Sequence, residues 1–192
     1  NTPHQRRHSP HGYSDYSEYK DWLRDDFCFT CVYCRCRERW KSEGEGAFSV
    51  EHLQPKSTHP ELECVYQNLV YACIRCNTAR GRKQIADPCE ASFGLHIEPN
   101  GIAVSISGDY GNRIIDTYNL NDAKLVDFRK HVIGQIELAI QTNRDDLLDY
   151  WFGFPLNMPN LTRKTRCKNA IPDSASLCYF MQYEQGKIGK RY

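Results

Sequence analysis

Cysteine is the residue type that stands out in this sequence, and its spacing favours metal binding. The 192 residues contain ten cysteines. Six of them fall into two tight clusters, and each cluster contains a CxxC pair, Cys31 with Cys34 and Cys73 with Cys76. Two such pairs brought together would supply the four thiolates of a tetrahedral zinc site. Disulfides and thiol redox chemistry are the alternatives, but a chain of this length can bury a core without covalent cross-links.

The first cysteine cluster contains more thiols than its share of one zinc site requires. Cys28 and Cys36 flank the first CxxC pair, so the spacing alone leaves the choice of ligands from this cluster open. The remaining cysteines have no partner at a metal-binding spacing, and we interpret them as ordinary thiols: Cys64, Cys89, Cys167 and Cys178.

Between the two CxxC pairs lies a histidine suited to general-base chemistry. Residues 47–53 alternate in polarity as a half-buried strand does, and His52 follows directly after Glu51. A neutral imidazole is the usual proton acceptor near pH 7, and a carboxylate is a suitable ligand for a hard divalent cation. Because side chains alternate along a strand, the two residues point to opposite faces, and a shared site requires a bend or a bulge there or a Glu51 side chain that reaches around the strand. His59, in a proline-flanked loop, is a weaker candidate base.

Taken as one unit, the middle of the chain resembles the zinc-stabilised HNH endonuclease family. The resemblance rests on three segments, CVYC (31–34), FSVEHLQPK (48–56) and YQNLVYACIRCNTARGRK (66–83), and it covers about residues 28–85. It implies an α+β fold with a ββα-metal core. The family's usual Cys-x-Tyr-Cys motif matches Cys31 and Cys34, which are therefore the expected ligands from the first cluster. The structural zinc is then expected on four cysteines: Cys31, Cys34, Cys73 and Cys76.

The resemblance also implies a role for each residue of the motif. His52 is the expected general base, and Glu51 and Asn77 are expected to hold a catalytic Mg²⁺ or Mn²⁺. Asn68 is expected to organise the loop that follows the histidine, through bonds from its side chain to the backbone. Two positions depart from the commonest family pattern, since Glu51 stands where aspartate is usual and Asn77 where histidine is frequent.

A short basic segment follows the second CxxC pair. Residues 73–83 contain no acidic side chain, and a solvated helix face is the ordinary interpretation of such a segment. Next to a phosphodiesterase site, contact with a nucleic-acid backbone is the better prediction. The residues expected to make that contact are Arg75, Arg80, Arg82 and Lys83.

Composition limits the other classes of function. The net charge is +1, so a basic footprint over the whole protein is absent and any nucleic-acid affinity must come from a local patch or from a partner. The mean hydropathy is -0.67, and no run approaches the roughly 18–20 apolar residues of a membrane helix. The first residues lack the apolar region of a secretory signal, so we expect no membrane association and a cytoplasmic location.

The elements that must position these residues can be predicted from periodicity. We divide the chain into an N-terminal arm and helix (1–27), an HNH core (28–85) and a C-terminal strand and helix extension (86–192). Residues 1–12 are expected to be flexible, and a helix is expected from Asp15 to Phe27, with Arg24, Asp25 and Asp26 on its polar side. In the extension we expect strands at 93–98, 101–107 and 112–118 and helices at 121–141 and 145–152.

These observations lead to a functional hypothesis and a rival. The hypothesis is a metal-dependent HNH endonuclease that hydrolyses DNA and leaves a 5′-phosphate and a 3′-hydroxyl. The resemblance to bacterial HNH proteins further implies a nuclease subunit of an anti-phage defence complex, with an ATPase subunit as partner. The rival is a non-catalytic zinc-stabilised module that binds nucleic acid or protein. Whether the histidine, the glutamate and the second asparagine share one site distinguishes the two.

Overall fold

The computed structural model describes residues 3–81, 83, 85 and 87–192. Within these residues the fold is a mixture of helices and short antiparallel strands, which confirms the predicted α+β class. No helix of the described part is long and apolar enough to cross a membrane. The strands and α-helices, in chain order, are β1 (Pro10–His11), α1 (Lys20–Asp26), β2 (Phe48–His52), β3 (Leu69–Cys73), α2 (Ile74–Arg80), β4 (Leu95–Ile97), β5 (Ala103–Ser105), α3 (Gly108–Thr117), α4 (Ala123–Gln141), α5 (Asp145–Phe152), β6 (Lys168–Asn169) and α6 (Tyr179–Glu184).

The centre of the fold is a ββα unit formed by β2, β3 and α2. The two strands are antiparallel, and their register pairs Phe48 with Cys73 and His52 with Leu69. Every residue of β3 is buried, as expected for an apolar strand that is covered on both faces. The ring of Phe48 stacks on that of Tyr71 with 5.0 Å between their centroids. Because α2 begins at the residue after β3, the strand pair and the helix are joined without a loop.

Helix α1 buries charged side chains that its amphipathic pattern placed on the solvent side. Arg24, Asp25 and Asp26 are each no more than 2% exposed. Arg24 donates two hydrogen bonds of 2.9 Å to the carboxylate of Glu38, so this buried pair is matched in both charge and geometry. The expectation of a solvated face fails because segments from both ends of the chain cover it.

The N-terminal arm, expected to be flexible, is fixed against α1 in the described residues. β1 pairs with β6 near the other end of the chain. His8 is 1% exposed, and its two ring nitrogens contact Asp25 at 2.8 Å and Ser174 at 2.9 Å. The three histidines of this segment suggested a solvated tail, but one of them supplies a buried link between α1 and the C-terminal region.

Asp26 extends this link to the ββα unit. One carboxylate oxygen accepts hydrogen bonds from the backbone N–H groups of Arg7 and His8, and the other accepts the hydroxyl of Tyr66 at 2.6 Å. Tyr66 lies two residues before Asn68, at the entrance to β3. The adjacent aspartates of α1 therefore join the N-terminal arm, the C-terminal region and the core. The division into three domains stays a prediction.

The C-terminal extension follows the predicted order except at one element. β4 and β5 form the expected hairpin, and Gly101 in its turn has a φ of +83° that a side chain would strain. Helices α4 and α5 lie where they were predicted. Residues 112–118, predicted as a strand, belong instead to α3 and its C-terminal cap. Ile114 and Tyr118 are four residues apart and both are buried, so packing overrides the strand propensity of the Ile-Ile pair.

Removal of the buried imidazole provides a test of this link. We expect His8→Ala to lower the free energy of unfolding by roughly 1–3 kcal/mol, because it removes hydrogen bonds from two buried polar groups. Urea denaturation measures the change. His11→Ala is the control, since His11 lies in the same arm but is exposed. Equal stability of the two variants would contradict the structural role of His8.

Candidate metal centre and active site

Four buried thiols converge where the first CxxC loop meets the junction of β3 and α2. The Sγ atoms of the four predicted ligands lie within 4.8 Å of one another, and those of Cys34 and Cys73 are 3.6 Å apart. Thiolates placed tetrahedrally at about 2.3 Å from zinc lie about 3.8 Å from each other. All four are free thiols rather than disulfides. The set is therefore positioned to bind a metal ion, and its softness and dimensions fit zinc: Cys31, Cys34, Cys73 and Cys76.

Backbone hydrogen bonds shape the first CxxC loop into a tight turn. The N–H of Cys31 donates to the carbonyl of Cys36, and the N–H of Arg35 donates back to the carbonyl of Cys31. Arg35 has a φ of +62°, a conformation that lets the chain reverse directly after the second cysteine. The N–H of Val32 donates to the carbonyl of Tyr71, which fastens the turn to β3.

The structure also separates the extra cysteines of the first cluster from the metal centre. Cys36 is buried beside the centre, but its sulfur is not among the four that converge. The sulfur of Cys28 lies 2.8 Å from the hydroxyl of Tyr179, on the side of the C-terminal region. This arrangement agrees with the choice of Cys31 and Cys34 over their neighbours.

His52 lies at the end of β2 in a partly enclosed site. It is 8% exposed, and the ring of Tyr16 lies edge-on to it with 4.7 Å between centroids. Its Nε2 is 3.0 Å from the carbonyl oxygen of Glu63. A carbonyl only accepts, so Nε2 carries the proton and Nδ1 is left as the basic nitrogen. Burial also lowers the pKa of His52, which keeps the imidazole neutral near pH 7.

His59, the weaker candidate base, lies in a different environment. Its side chain is 43% exposed, and its Nδ1 lies 3.2 Å from the carboxylate of Glu61. This arrangement is that of a solvated surface histidine.

Asn68 binds the backbone of the loop between β2 and β3. Its side-chain oxygen accepts the N–H of Gln54 at 2.8 Å, and its amide donates to the carbonyls of Gln54 at 3.1 Å and Leu62 at 3.2 Å. Its own carbonyl accepts the N–H of Leu53. These bonds, from one buried side chain to both ends of the loop, are of the kind that the predicted supporting role requires.

The two expected ligands of the catalytic cation lie on the facing surfaces of β2 and α2 but contact different partners. One oxygen of Glu51 is paired with the guanidinium of Arg80, and the amide nitrogen of Asn77 donates to the hydroxyl of Ser49 at 2.8 Å. Burial raises the pKa of Glu51, and the charge of Arg80 opposes that effect. The structure thus places both side chains at one strand–helix interface without a direct contact between them among the described residues.

Each of the two side chains has an oxygen atom without a hydrogen-bond partner among the described residues. The second oxygen of Glu51 is buried and has no hydrogen-bond partner among the described residues. The side-chain oxygen of Asn77 accepts no hydrogen bond from the described residues, and the contact with Ser49 is made by its amide nitrogen. One carboxylate oxygen and one amide oxygen are ligands that Mg²⁺ and Mn²⁺ accept, and the remaining positions are commonly filled by water.

The predicted phosphate-binding patch is divided by the structure. The guanidinium of Arg75 donates to the carbonyls of Tyr118 and Asn119, and Arg80 is 3% exposed with its donors directed at protein groups. Both arginines hold the fold together where the sequence predicted backbone contacts to nucleic acid. Lys83 is exposed, and Arg82 lies outside the described residues.

Tyr16 and Ser49 contact the predicted site residues without any signal in the motif. Tyr16 belongs to the N-terminal segment, and Lys56 lies over its ring at 4.7 Å. Ser49 is visible only as the residue two positions before Glu51, on the same strand face. The alternation of β2 could have placed Ser49 beside α2, but no sequence pattern connects Tyr16 with His52.

Comparisons with known proteins match the segment that contains the ββα unit. Residues 31–83 match the family model described as HNH endonuclease, a segment that begins at Cys31 and ends after α2. The chain is also similar to the Septu protein PtuB of Bacillus thuringiensis, with 29% identity over 109 residues, which is 54% of this chain. The match spans 41% of the length of that relative.

The metal centre can be tested by comparing two cysteines of the same region. We expect Cys73→Ser to lose most of its zinc and to unfold at a lower urea concentration, because binding of a structural zinc contributes directly to folding. Cys36→Ser should keep its zinc, since that sulfur lies outside the cluster. Elemental analysis after gel filtration measures the metal. Equal zinc contents in the two variants would contradict the assignment of ligands.

Proposed function

We propose that the protein is a metal-dependent nuclease that hydrolyses phosphodiester bonds of DNA, because residues 31–83 match the HNH endonuclease family model. The observation that carries the proposal is the environment of His52. The carbonyl of Glu63 fixes the protonated Nε2, and Nδ1 remains available to accept a proton.

In this proposal His52 acts as the general base for an attacking water. The neutral imidazole takes a proton from water at Nδ1 while the hydrogen bond from Nε2 holds the ring in place. The edge of Tyr16 and the loop held by Asn68 limit rotation of the ring. Since the pKa of His52 is lowered by burial, the base form persists into mildly acidic solution.

Glu51 and Asn77 are the proposed ligands of a catalytic Mg²⁺ or Mn²⁺. The buried, unpartnered oxygen of Glu51 supports this role, because a carboxylate oxygen without a donor is costly to bury. The cation, when bound, would contact the scissile phosphate and stabilise the leaving oxygen. This ion is distinct from the structural zinc, which the four thiolates would hold.

DNA is the proposed substrate, and a protein partner is proposed with it. The net charge of +1 supplies little attraction for a polyanion. Similarity to the Septu protein PtuB supports the proposal that the chain is the nuclease subunit of an anti-phage defence complex. By the family resemblance, the proposed partner is an ATPase subunit. We also propose a cytoplasmic location, where such a complex would meet its substrate.

One observation favours the rival function, a non-catalytic module that binds nucleic acid or protein. Glu51 forms an ion pair with Arg80, so its negative charge is already compensated within the protein without a metal ion. The nuclease and the binding module share the zinc centre and differ in whether the histidine and the cation are needed. The following two experiments separate them.

The role of the base is tested with plasmid DNA in the presence of Mg²⁺. We expect His52→Ala to lower the cleavage rate by about 10²–10⁴-fold, the usual contribution of a general base. Zinc content should stay at the wild-type value, because His52 is not a ligand of the structural metal. His59→Ala is the matched control and should cleave normally.

Three other outcomes would count against this assignment. Loss of zinc together with activity would make His52 structural. Cleavage retained by His52→Ala but lost in His59→Ala would transfer the role of base to His59. Absence of cleavage by the wild type, with and without its co-purified partner, would favour the binding module.

Dependence on a second metal is tested by brief treatment with EDTA. We expect cleavage to stop while zinc is retained, because four thiolates hold zinc strongly and a two-ligand oxygen site releases Mg²⁺ readily. Added Mg²⁺ or Mn²⁺ should restore cleavage. Glu51→Gln should require a higher Mg²⁺ concentration, since it removes the only negative charge of the pair. Unchanged Mg²⁺ dependence in both Glu51→Gln and Asn77→Ala would show that other groups hold the ion.

A further inference from the structure

Arg80 is a buried cation at the point where the two candidate catalytic residues follow one another along the chain. It is 3% exposed, and its guanidinium donates to a carboxylate oxygen of Glu51 and to the backbone carbonyls of His52 and Leu53. Its Nε donates to the carbonyl of Lys83 at 2.7 Å. A single side chain therefore contacts the end of β2 at three consecutive residues.

The contact leaves the two oxygens of Glu51 in different states. Oε1 is held by Arg80, whereas Oε2 is buried without a partner among the described residues. A carboxylate that is fixed by one oxygen can offer the other to a cation as a single ligand. The orientation of Oε2 then depends on the guanidinium that holds Oε1.

The register between β2 and α2 explains why Arg80 reaches this position. Ser49 and Glu51 share one face of the strand, about 6.6 Å apart, because side chains alternate with a period of two. Asn77 and Arg80 share one face of the helix, about 4.5 Å apart along its axis, because residues at i and i+3 are neighbours. The observed contacts join Ser49 to Asn77 and Glu51 to Arg80, so the two contacts lie next to each other along the strand–helix interface.

The contacts of Arg80 also bear on the fact that Glu51 and His52, as neighbours on a strand, point to opposite faces. The side chain of Glu51 points to α2, and that of His52 points to Tyr16 and to the loop after β2. Because Arg80 also binds the carbonyls of His52 and Leu53, it fixes the backbone at the point where the strand ends. One guanidinium thus contacts both the carboxylate of Glu51 and the backbone that carries His52.

We propose that Arg80 is a positioning residue that aims the free oxygen of Glu51 at the catalytic cation. The proposal rests on the proposed function, since it assumes that Glu51 is a ligand of that cation. Arg80 acts through Glu51 and does not touch the substrate. A residue that hydrogen-bonds to a ligand in this way commonly changes metal affinity when it is replaced.

Arg80→Lys tests the geometry because it keeps the charge but removes the planar fork. Mn²⁺ is the probe, and electron paramagnetic resonance of free Mn²⁺ measures its binding to the zinc-loaded protein. We expect the affinity to fall roughly 10–100-fold, the range found when a group that orients a ligand is lost. Arg75→Lys is the matched control, since Arg75 lies on the same helix and donates to the carbonyls of Tyr118 and Asn119. It should bind Mn²⁺ as the wild type does.

A double-mutant cycle shows whether Arg80 acts through Glu51. In a protein that already carries Glu51→Gln, the change Arg80→Lys should weaken Mn²⁺ binding no further. Equal losses in both backgrounds would mean that Arg80 acts only through general stability, and the proposal would be wrong. Wild-type affinity in the single Arg80→Lys variant would also overturn it, while the role of Glu51 would stand if Glu51→Gln alone binds Mn²⁺ weakly. If Glu51→Gln binds Mn²⁺ as the wild type does, the proposed function loses its metal site.

A measurement on the wild-type protein covers the case in which Arg80→Lys does not fold. Nitrogen-15 resonances of the arginine side chains are followed while Mg²⁺ is added. We expect the Arg80 resonances to shift as Mg²⁺ binds and the guanidinium protons to stay protected from exchange, because the contact with Glu51 persists. Loss of that protection on Mg²⁺ binding would mean that the ion displaces Arg80, which contradicts a positioning role.

Discussion

Four cysteine sulfurs join the first CxxC loop to the junction of β3 and α2, and the geometry of the whole candidate site depends on that junction. β2 contains no cysteine, so its position follows from its pairing with β3 and from its contacts with α2. The apolar residues of both strands belong to the buried core, and a metal held by the four sulfurs would add a further constraint where β3 meets α2. The contacts of Ser49 with Asn77 and of Glu51 with Arg80 join the same strand and helix, so they depend on the angle that a metal bound at this junction would help to fix.

The sequence revealed the parts of this arrangement that depend on local spacing. The two CxxC pairs, the strand that contains His52 and the long helix α4 all have short-range patterns with a physical cause, and the structure has each of them. The fixed N-terminal arm had no such pattern, because its contacts join residues that are far apart in the chain. His8 meets Ser174 across more than 160 positions, and nothing in the identity of either residue indicates the other. The helix α3 was missed for a related reason, since buried neighbours decide between helix and strand where local propensity is divided.

In the candidate site, too, the sequence identified the residues but not the contacts that they make. The motif identified Glu51, His52 and Asn68 as residues to examine, but it could not show what each one touches. The sequence predicted that Arg80 contacts a nucleic-acid backbone, because phosphate contact is the simplest explanation of a basic residue beside a phosphodiesterase motif. In the structure the same charge compensates a buried carboxylate and binds three backbone carbonyls, one of them that of Lys83. Burial decides between these roles, and burial is a property of the fold rather than of the segment.

If the protein is the proposed nuclease, this reassignment changes how it would attract a polyanionic substrate. Arg75 and Arg80 are engaged with protein groups, so the described core offers fewer free cations than its sequence suggests. Near His52 the side chain of Lys56 is half exposed, but its ammonium group forms an ion pair with Glu63 at 3.3 Å. Nucleic-acid affinity grows with the number of phosphates neutralised, and a chain with a net charge of +1 can neutralise few of them without help. A partner that holds the substrate would supply the missing attraction, and it would leave the ββα unit with the chemical step alone.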